Sequence, residues 1–177
     1  MTENNTAFEV LYPEGADVVF ASFSLSRADS FFGMKRQVLD LLREIRPSIL
    51  RYPGGCYAEF FNWKDGLSEP DLRPCIPDGG LNFLLPDTCG FDSYEIGIDQ
   101  FIEACRYTDA QPQITVRLSE NQPQDAADWV EYCNGSADTK WGAVRAARGY
   151  IRPYGVKVWY IGNELCAFGR GGLNADA

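Results

Sequence analysis

Short apolar runs alternate with helical stripes along this chain, and that alternation restricts it to a parallel α/β architecture. Residues 18–25 alternate loosely, as a strand does. Met34, Val38, Leu41, Leu42 and Ile45 then fall at i, i+4, i+7, i+8 and i+11, one stripe of an amphipathic helix that Pro47 ends. A short buried strand over 48–52 is cut off by Pro53-Gly54-Gly55. Residues 56–95 show little periodicity, and a loop of that length inside a compact domain is usually functional. Ile98, Phe101, Ile102 and Cys105 mark a second helix, followed by a core strand over 113–118. Pro123 opens a third helix, with Ala126, Trp129, Val130 and Cys133 on one face and Asn134-Gly135 at its end. A helical piece over 141–148 leads to a last strand over 156–161. Residues 1–17 are polar and aperiodic and read as a poorly ordered lead-in; no linker divides 18–177.

Composition narrows the chemistry. A net charge of −9 leaves no basic surplus to neutralise phosphates, so nucleic acid is not the expected partner. No stretch approaches the length needed to span a membrane. There is no histidine, which removes Ser-His-Asp and Cys-His catalysis and the commonest zinc ligand. Catalysis within these residues therefore rests on carboxylates, Cys, Lys, Tyr or a bound cofactor. The six cysteines include no CxxC pair and read as small buried hydrophobes, although their even number leaves disulfides open.

In parallel α/β folds the reactive side chains sit at the C-terminal ends of strands. Three clusters fall there: residues 51–56 (RYPGGC), residues 119–121 (SEN) and residues 162–164 (GNE). On the tripeptide alone, a polar residue that merely ends a strand is the commoner reading of Glu164. Arg51, inside an apolar run, needs a carboxylate partner if it is buried. Trp63 suits the face of a sugar, though a lone Trp is more often core.

Residues 51–66 (RYPGGCYAEFFNWKDG), Arg73-Pro74, residues 97–101 (GIDQF), 127–135 (ADWVEYCNG), 141–149 (WGAVRAARG) and 154–164 (YGVKVWYIGNE) resemble, in this order, glycoside hydrolase family 51. The best-known members of that family are α-L-arabinofuranosidases. The resemblance implies a (β/α)8 TIM barrel and retaining cleavage of terminal arabinofuranosyl groups from arabinan and arabinoxylan, with no metal or organic cofactor. It implies that Glu164 is the acid/base and that Asn163 bonds the sugar 2-hydroxyl. Arg51, Cys56, Glu59 and Trp63 would lie in or near the sugar pocket. The sequence departs from the family at residues 116–121, where V-N-x-G-T-G is common, and at Cys56, where some relatives carry Asn.

A complete barrel of this kind takes about 250 residues, and this chain has 177. The expectation is therefore a partial barrel, roughly the second to fourth strand-helix units, with residues 18–177 as an incomplete catalytic domain. The nucleophile would lie beyond Ala177. Little or no activity is expected of these residues alone, and open sheet edges would favour association. For the full-length protein a homo-oligomer is admissible. The alternatives are a related barrel glycosidase, such as an endoglucanase or xylosidase, and a non-catalytic carbohydrate-binding α/β domain.

Overall fold

Three parallel strands carry the sheet, with the most buried one in the middle. The computed structural model describes residues 9–19, 28–77, 91–118 and 123–164. The elements are α1 (Arg36–Ile45), β1 (Ile49–Tyr52), β2 (Ile76–Pro77), β3 (Phe91–Asp92), α2 (Ile98–Thr108), β4 (Gln111–Val116), α3 (Pro123–Asn134), α4 (Lys140–Ala147) and β5 (Val158–Ile161). The sheet order is β1-β4-β5, both pairings parallel, with Tyr52 opposite Ile114 and Val116 opposite Ile161. β2 and β3 form a separate antiparallel pair. The strand expected over 18–25 lies mostly outside the described residues, as does the cluster at 119–121.

β4 is buried along four consecutive residues, Gln113 to Val116, as a strand covered on both faces must be. Its ladder begins at Gln111, two residues before the expected start, and leaves Arg117 and Leu118 beyond the sheet. α2 buries Ile98, Phe101, Ile102 and Cys105, the stripe its spacing foretold. Its first turn is closed by Gly97, whose N–H donates to Gln100 Oε1 at 2.9 Å. α3 opens on Pro123, and Asn134 at its end exchanges two 2.8 Å hydrogen bonds with the backbone of Val156. That exchange fixes the chain's entry into β5.

α1 departs from expectation. Its helix forms, but Leu39 is its buried residue, while Val38, Leu41 and Ile45 of the expected stripe are 50%, 57% and 72% exposed. α1 packs on α2, and periodicity identifies an apolar face without specifying what covers it.

The aperiodic stretch after β1 is ordered by aromatic burial. Short 3-10 turns at Cys56–Glu59, Asp65–Leu67 and Pro70–Leu72 set Phe61 and Trp63 into the core. Trp63 stacks on Trp129, with centroids 5.7 Å apart and planes 5° from parallel, and Tyr52 stacks on Phe101 at 4.8 Å. Buried Arg73 staples the loop, donating to Ser68 O, Tyr94 O, Glu95 O and Gln100 Oε1. A Cβ on Gly97 would stand 2.3 Å from Gly66 O, so glycine is what lets this loop close on the start of α2. Beneath it, buried Asp99 accepts from Tyr132 Oη at 2.8 Å, Tyr154 Oη at 2.6 Å and Arg148 Nε at 2.8 Å.

Candidate active site

The parallel register brings the C-terminal ends of β1, β4 and β5 to one edge, so the residues that follow them share a rim. On β1, Arg51 is exposed, and its guanidinium forks between two neighbours. Nε donates to Thr115 Oγ1 at 3.1 Å and Nη2 to Asn163 Oδ1 at 2.8 Å, while the group lies 5.3 Å from the Tyr160 ring centroid. A carboxylate partner was the expectation for a buried Arg51. The side chain reaches solvent instead, and among the described residues a hydroxyl and an amide oxygen receive it.

Gly54, at φ 145°, turns the chain out of β1 into the 3-10 turn Cys56–Glu59. Three residues per turn eclipse positions i and i+3, so Cys56 and Glu59 point the same way. Both meet the exit of β5. Cys56 Sγ donates to Glu164 Oε2 at 3.2 Å, and Asn163 Nδ2 approaches the sulfur at 3.7 Å. Glu59 is 5% exposed; its Oε1 accepts from the Asn163 N–H at 2.6 Å and its Oε2 from the Leu118 N–H at 3.4 Å.

On β5, Gly162 N donates to Val116 O at 2.9 Å and continues the ladder. The chain then bends, with φ 71° at Gly162 and 49° at Glu164, the latter a left-handed conformation that residues with a Cβ seldom adopt. Glu164 is exposed at the rim. The hydrogen bond to its carboxylate, with burial second, pushes the Cys56 thiol above its ordinary range. A carboxylate oxygen facing solvent, beside a fixed amide and a protonated thiol, can give and take a proton at a ligand placed over the rim.

Five of the six residues singled out from sequence, Arg51, Cys56, Glu59, Asn163 and Glu164, therefore converge. Trp63 does not: at 1% exposure it is core, between Trp129 and Trp141. Thr115, Tyr160 and the Leu118 N–H were missed. Thr115 left a signal, a hydroxyl between apolar Ile114 and Val116, whereas a backbone donor leaves none. Among the described residues no cluster of His, Cys, Asp and Glu has the make-up of a metal site. An open groove lined by Asp40, Arg43, Glu44, Arg46 and Tyr107 lies where α1 and α2 end, at the opposite ends of the strands.

Residues 41–171 match the family model described as alpha-L-arabinofuranosidase 1 domain. Among curated proteins, the chain is 33% identical over 133 residues to alpha-L-arabinofuranosidase C of Emericella nidulans. It is 32% identical over 133 residues to the intracellular exo-alpha-(1->5)-L-arabinofuranosidase 1 of Bacillus subtilis. Each alignment takes in 75% of this chain and 25% of the relative, so the chain spans about a quarter of the length of these relatives. Among solved structures, the family 51 α-L-arabinofuranosidase of Thermotoga petrophila superposes with a TM-score of 0.73 at 32% identity, over 82% of this chain and 29% of that one. The Thermotoga maritima enzyme, solved as an arabinose complex, gives 0.71 at 32% identity, over 78% and 27%.

Proposed function

The chain belongs to the α-L-arabinofuranosidases of glycoside hydrolase family 51, and we propose that it supplies the acid/base side of a retaining arabinofuranosidase site. In this reading β1, β4 and β5 are the second, third and fourth strands of a (β/α)8 barrel, and Glu164 stands at the end of the fourth. The substrate is a terminal α-L-arabinofuranosyl group of an arabinan or arabinoxylan chain.

Retaining cleavage uses two carboxyl groups about 5–5.5 Å apart. In the first half, protonated Glu164 gives its proton to the glycosidic oxygen as the C1–O bond breaks, while a second carboxylate, from a later strand of the barrel, forms a bond to C1. In the second half, Glu164, now ionised, takes a proton from the water that attacks C1. The bond to the second carboxylate breaks, and arabinose leaves with its configuration kept. Asn163 bonds the sugar 2-hydroxyl, its amide oriented by Arg51, and Cys56 lines the pocket beside Glu164. Glu59 is enclosed and Trp63 is core, so neither is placed against the sugar.

The observation that carries this reading is an exposed Glu164 at a strand end with Asn163 held from two sides. The test is turnover by the enzyme that carries this segment. It should cleave a nitrophenyl α-L-arabinofuranoside with retention, and Glu164→Ala should lose most on substrates with poor leaving groups. Cleavage of a xyloside or glucan in place of the arabinofuranoside would overturn the specificity. Unchanged rates in Glu164→Ala would remove Glu164 from the role.

A further inference from the structure

We infer that Glu59 is a positioning residue for Glu164: by holding the Asn163 N–H, its enclosed carboxylate sets how the acid/base leaves the end of β5. This rests on the acid/base reading of Glu164 given above and adds a second carboxylate to the site, one that never meets the sugar.

The backbone beyond β5 needs such a hold. The β4–β5 ladder ends with the bond from Gly162 N to Val116 O, so the next donor, Asn163 N–H, has no strand partner within the sheet. Glu59 Oε1 accepts it at 2.6 Å. The residues on either side, Gly162 and Glu164, both lie at positive φ, and for Glu164 that conformation persists only if its surroundings impose it. The second oxygen of Glu59 takes the Leu118 N–H, the donor just past the end of β4. One carboxylate thus ties together two strand exits from a loop that begins at the third. Its turn also presents Cys56, whose thiol reaches the Glu164 carboxylate itself. Backbone and side chain of the catalytic segment are held by two residues one 3-10 turn apart.

The test uses Glu59→Gln in the whole enzyme. Glutamine keeps the shape but offers one acceptor oxygen, and its NH2 faces the remaining backbone donor. Proton donation matters most when the leaving group is a poor one. A misplacement of the acid/base of about 1 Å should therefore lower kcat/KM on an arabinan oligosaccharide roughly 10²-fold. On a nitrophenyl arabinofuranoside, which needs little protonation to leave, kcat/KM should fall far less. Azide, a nucleophile that needs no general base, should restore turnover of that activated substrate. Equal losses on both substrates, without azide rescue, would mark Glu59 as a fold staple and overturn the inference. If Glu59→Gln does not fold, Glu59→Asp withdraws the carboxylate by one methylene and is judged by the same pair of substrates. A wild-type enzyme that cleaves neither arabinofuranoside defeats the acid/base reading, and the role of Glu59 falls with it. Wild-type cleavage with equal losses removes Glu59 alone.

Discussion

Replacing Arg51 with lysine tests whether the orientation of Asn163 is part of catalysis. The guanidinium supplies two donors in a fixed fork, one to Thr115 Oγ1 at 3.1 Å and one to Asn163 Oδ1 at 2.8 Å. An ammonium reaches one of them at most. Arg51 is exposed, so its loss to folding is small, within about 0.5 kcal/mol. The catalytic loss is larger. Contacts to the 2-hydroxyl strengthen in the transition state and are worth several kcal/mol in full. An amide free to rotate away from Arg51 forfeits part of that; a loss of about 1.4 kcal/mol is a tenfold fall. Arg51→Lys should accordingly lower kcat/KM about tenfold on a nitrophenyl α-L-arabinofuranoside, mainly through kcat. On the 2-deoxy analogue the fall should nearly vanish, because the contact being oriented is gone. In an Asn163→Ala background the lysine should also cost little, since the two residues act through one contact. Equal losses on the sugar and its 2-deoxy analogue would refute the reasoning.

The buried network around Asp99 should govern stability. Asp99→Asn leaves Arg148 facing an amide and should cost about 3 kcal/mol, the low end for breaking a buried ion pair, because Arg148 can still turn toward solvent; denaturant unfolding checks it. Lys64 bridges Asp125 and Asp128 at 2.6 and 3.2 Å, so Lys64→Met should cost about 1 kcal/mol at pH 7 for a pair this exposed. The Gln124 amide first, and Lys64 after it, hold Asp128 below the ordinary aspartate range. A lowered folded value stabilises above the unfolded value of about 3.9 and ceases to as pH falls through the folded one. The Tm difference between wild type and Lys64→Met should therefore be full at pH 7 and shrink toward pH 3. Cys56 stays protonated above the usual thiol range, so at pH 8 iodoacetamide should label exposed Cys75 before Cys56. Glu164→Gln should speed Cys56 labelling, measured by peptide mass spectrometry.

The central elements were legible because their signals are local. Pro123 and Asn134-Gly135 bracket α3 by cap chemistry, and the β-branched Ile114, Thr115 and Val116 announce the strand β4. Three strand-end clusters could be named because parallel strands place their exits together. α1 was legible as a helix but not in its packing: the stripe through Val38, Leu41 and Ile45 is real and stands exposed. Trp63 shows the opposite failure. Its place in a pocket motif suggested a sugar platform, yet the 3-10 turns after β1 carry it under the loop onto Trp129. No periodicity reports those turns, because they form where aromatic side chains find one another across 30 to 80 residues of sequence.

The site shows the same physics in reverse, with a conformation that its own segment would not choose. Glu164 lies two residues past the last ladder bond of β5, exposed and at φ 49°. Among the described residues, what holds it comes from far away in sequence: Arg51 on the Asn163 amide, Glu59 on the Asn163 N–H, Cys56 on the Glu164 carboxylate. All three lie on β1 or the turn that follows it. The acid/base geometry should therefore appear only once β1 and β5 have both docked on β4, and a lesion in the first loop should damage proton transfer without removing the carboxylate. That separation of the proposed reacting group from the residues that hold its segment makes Arg51 and Glu59, beside Glu164, the positions at which the proposed mechanism is tested.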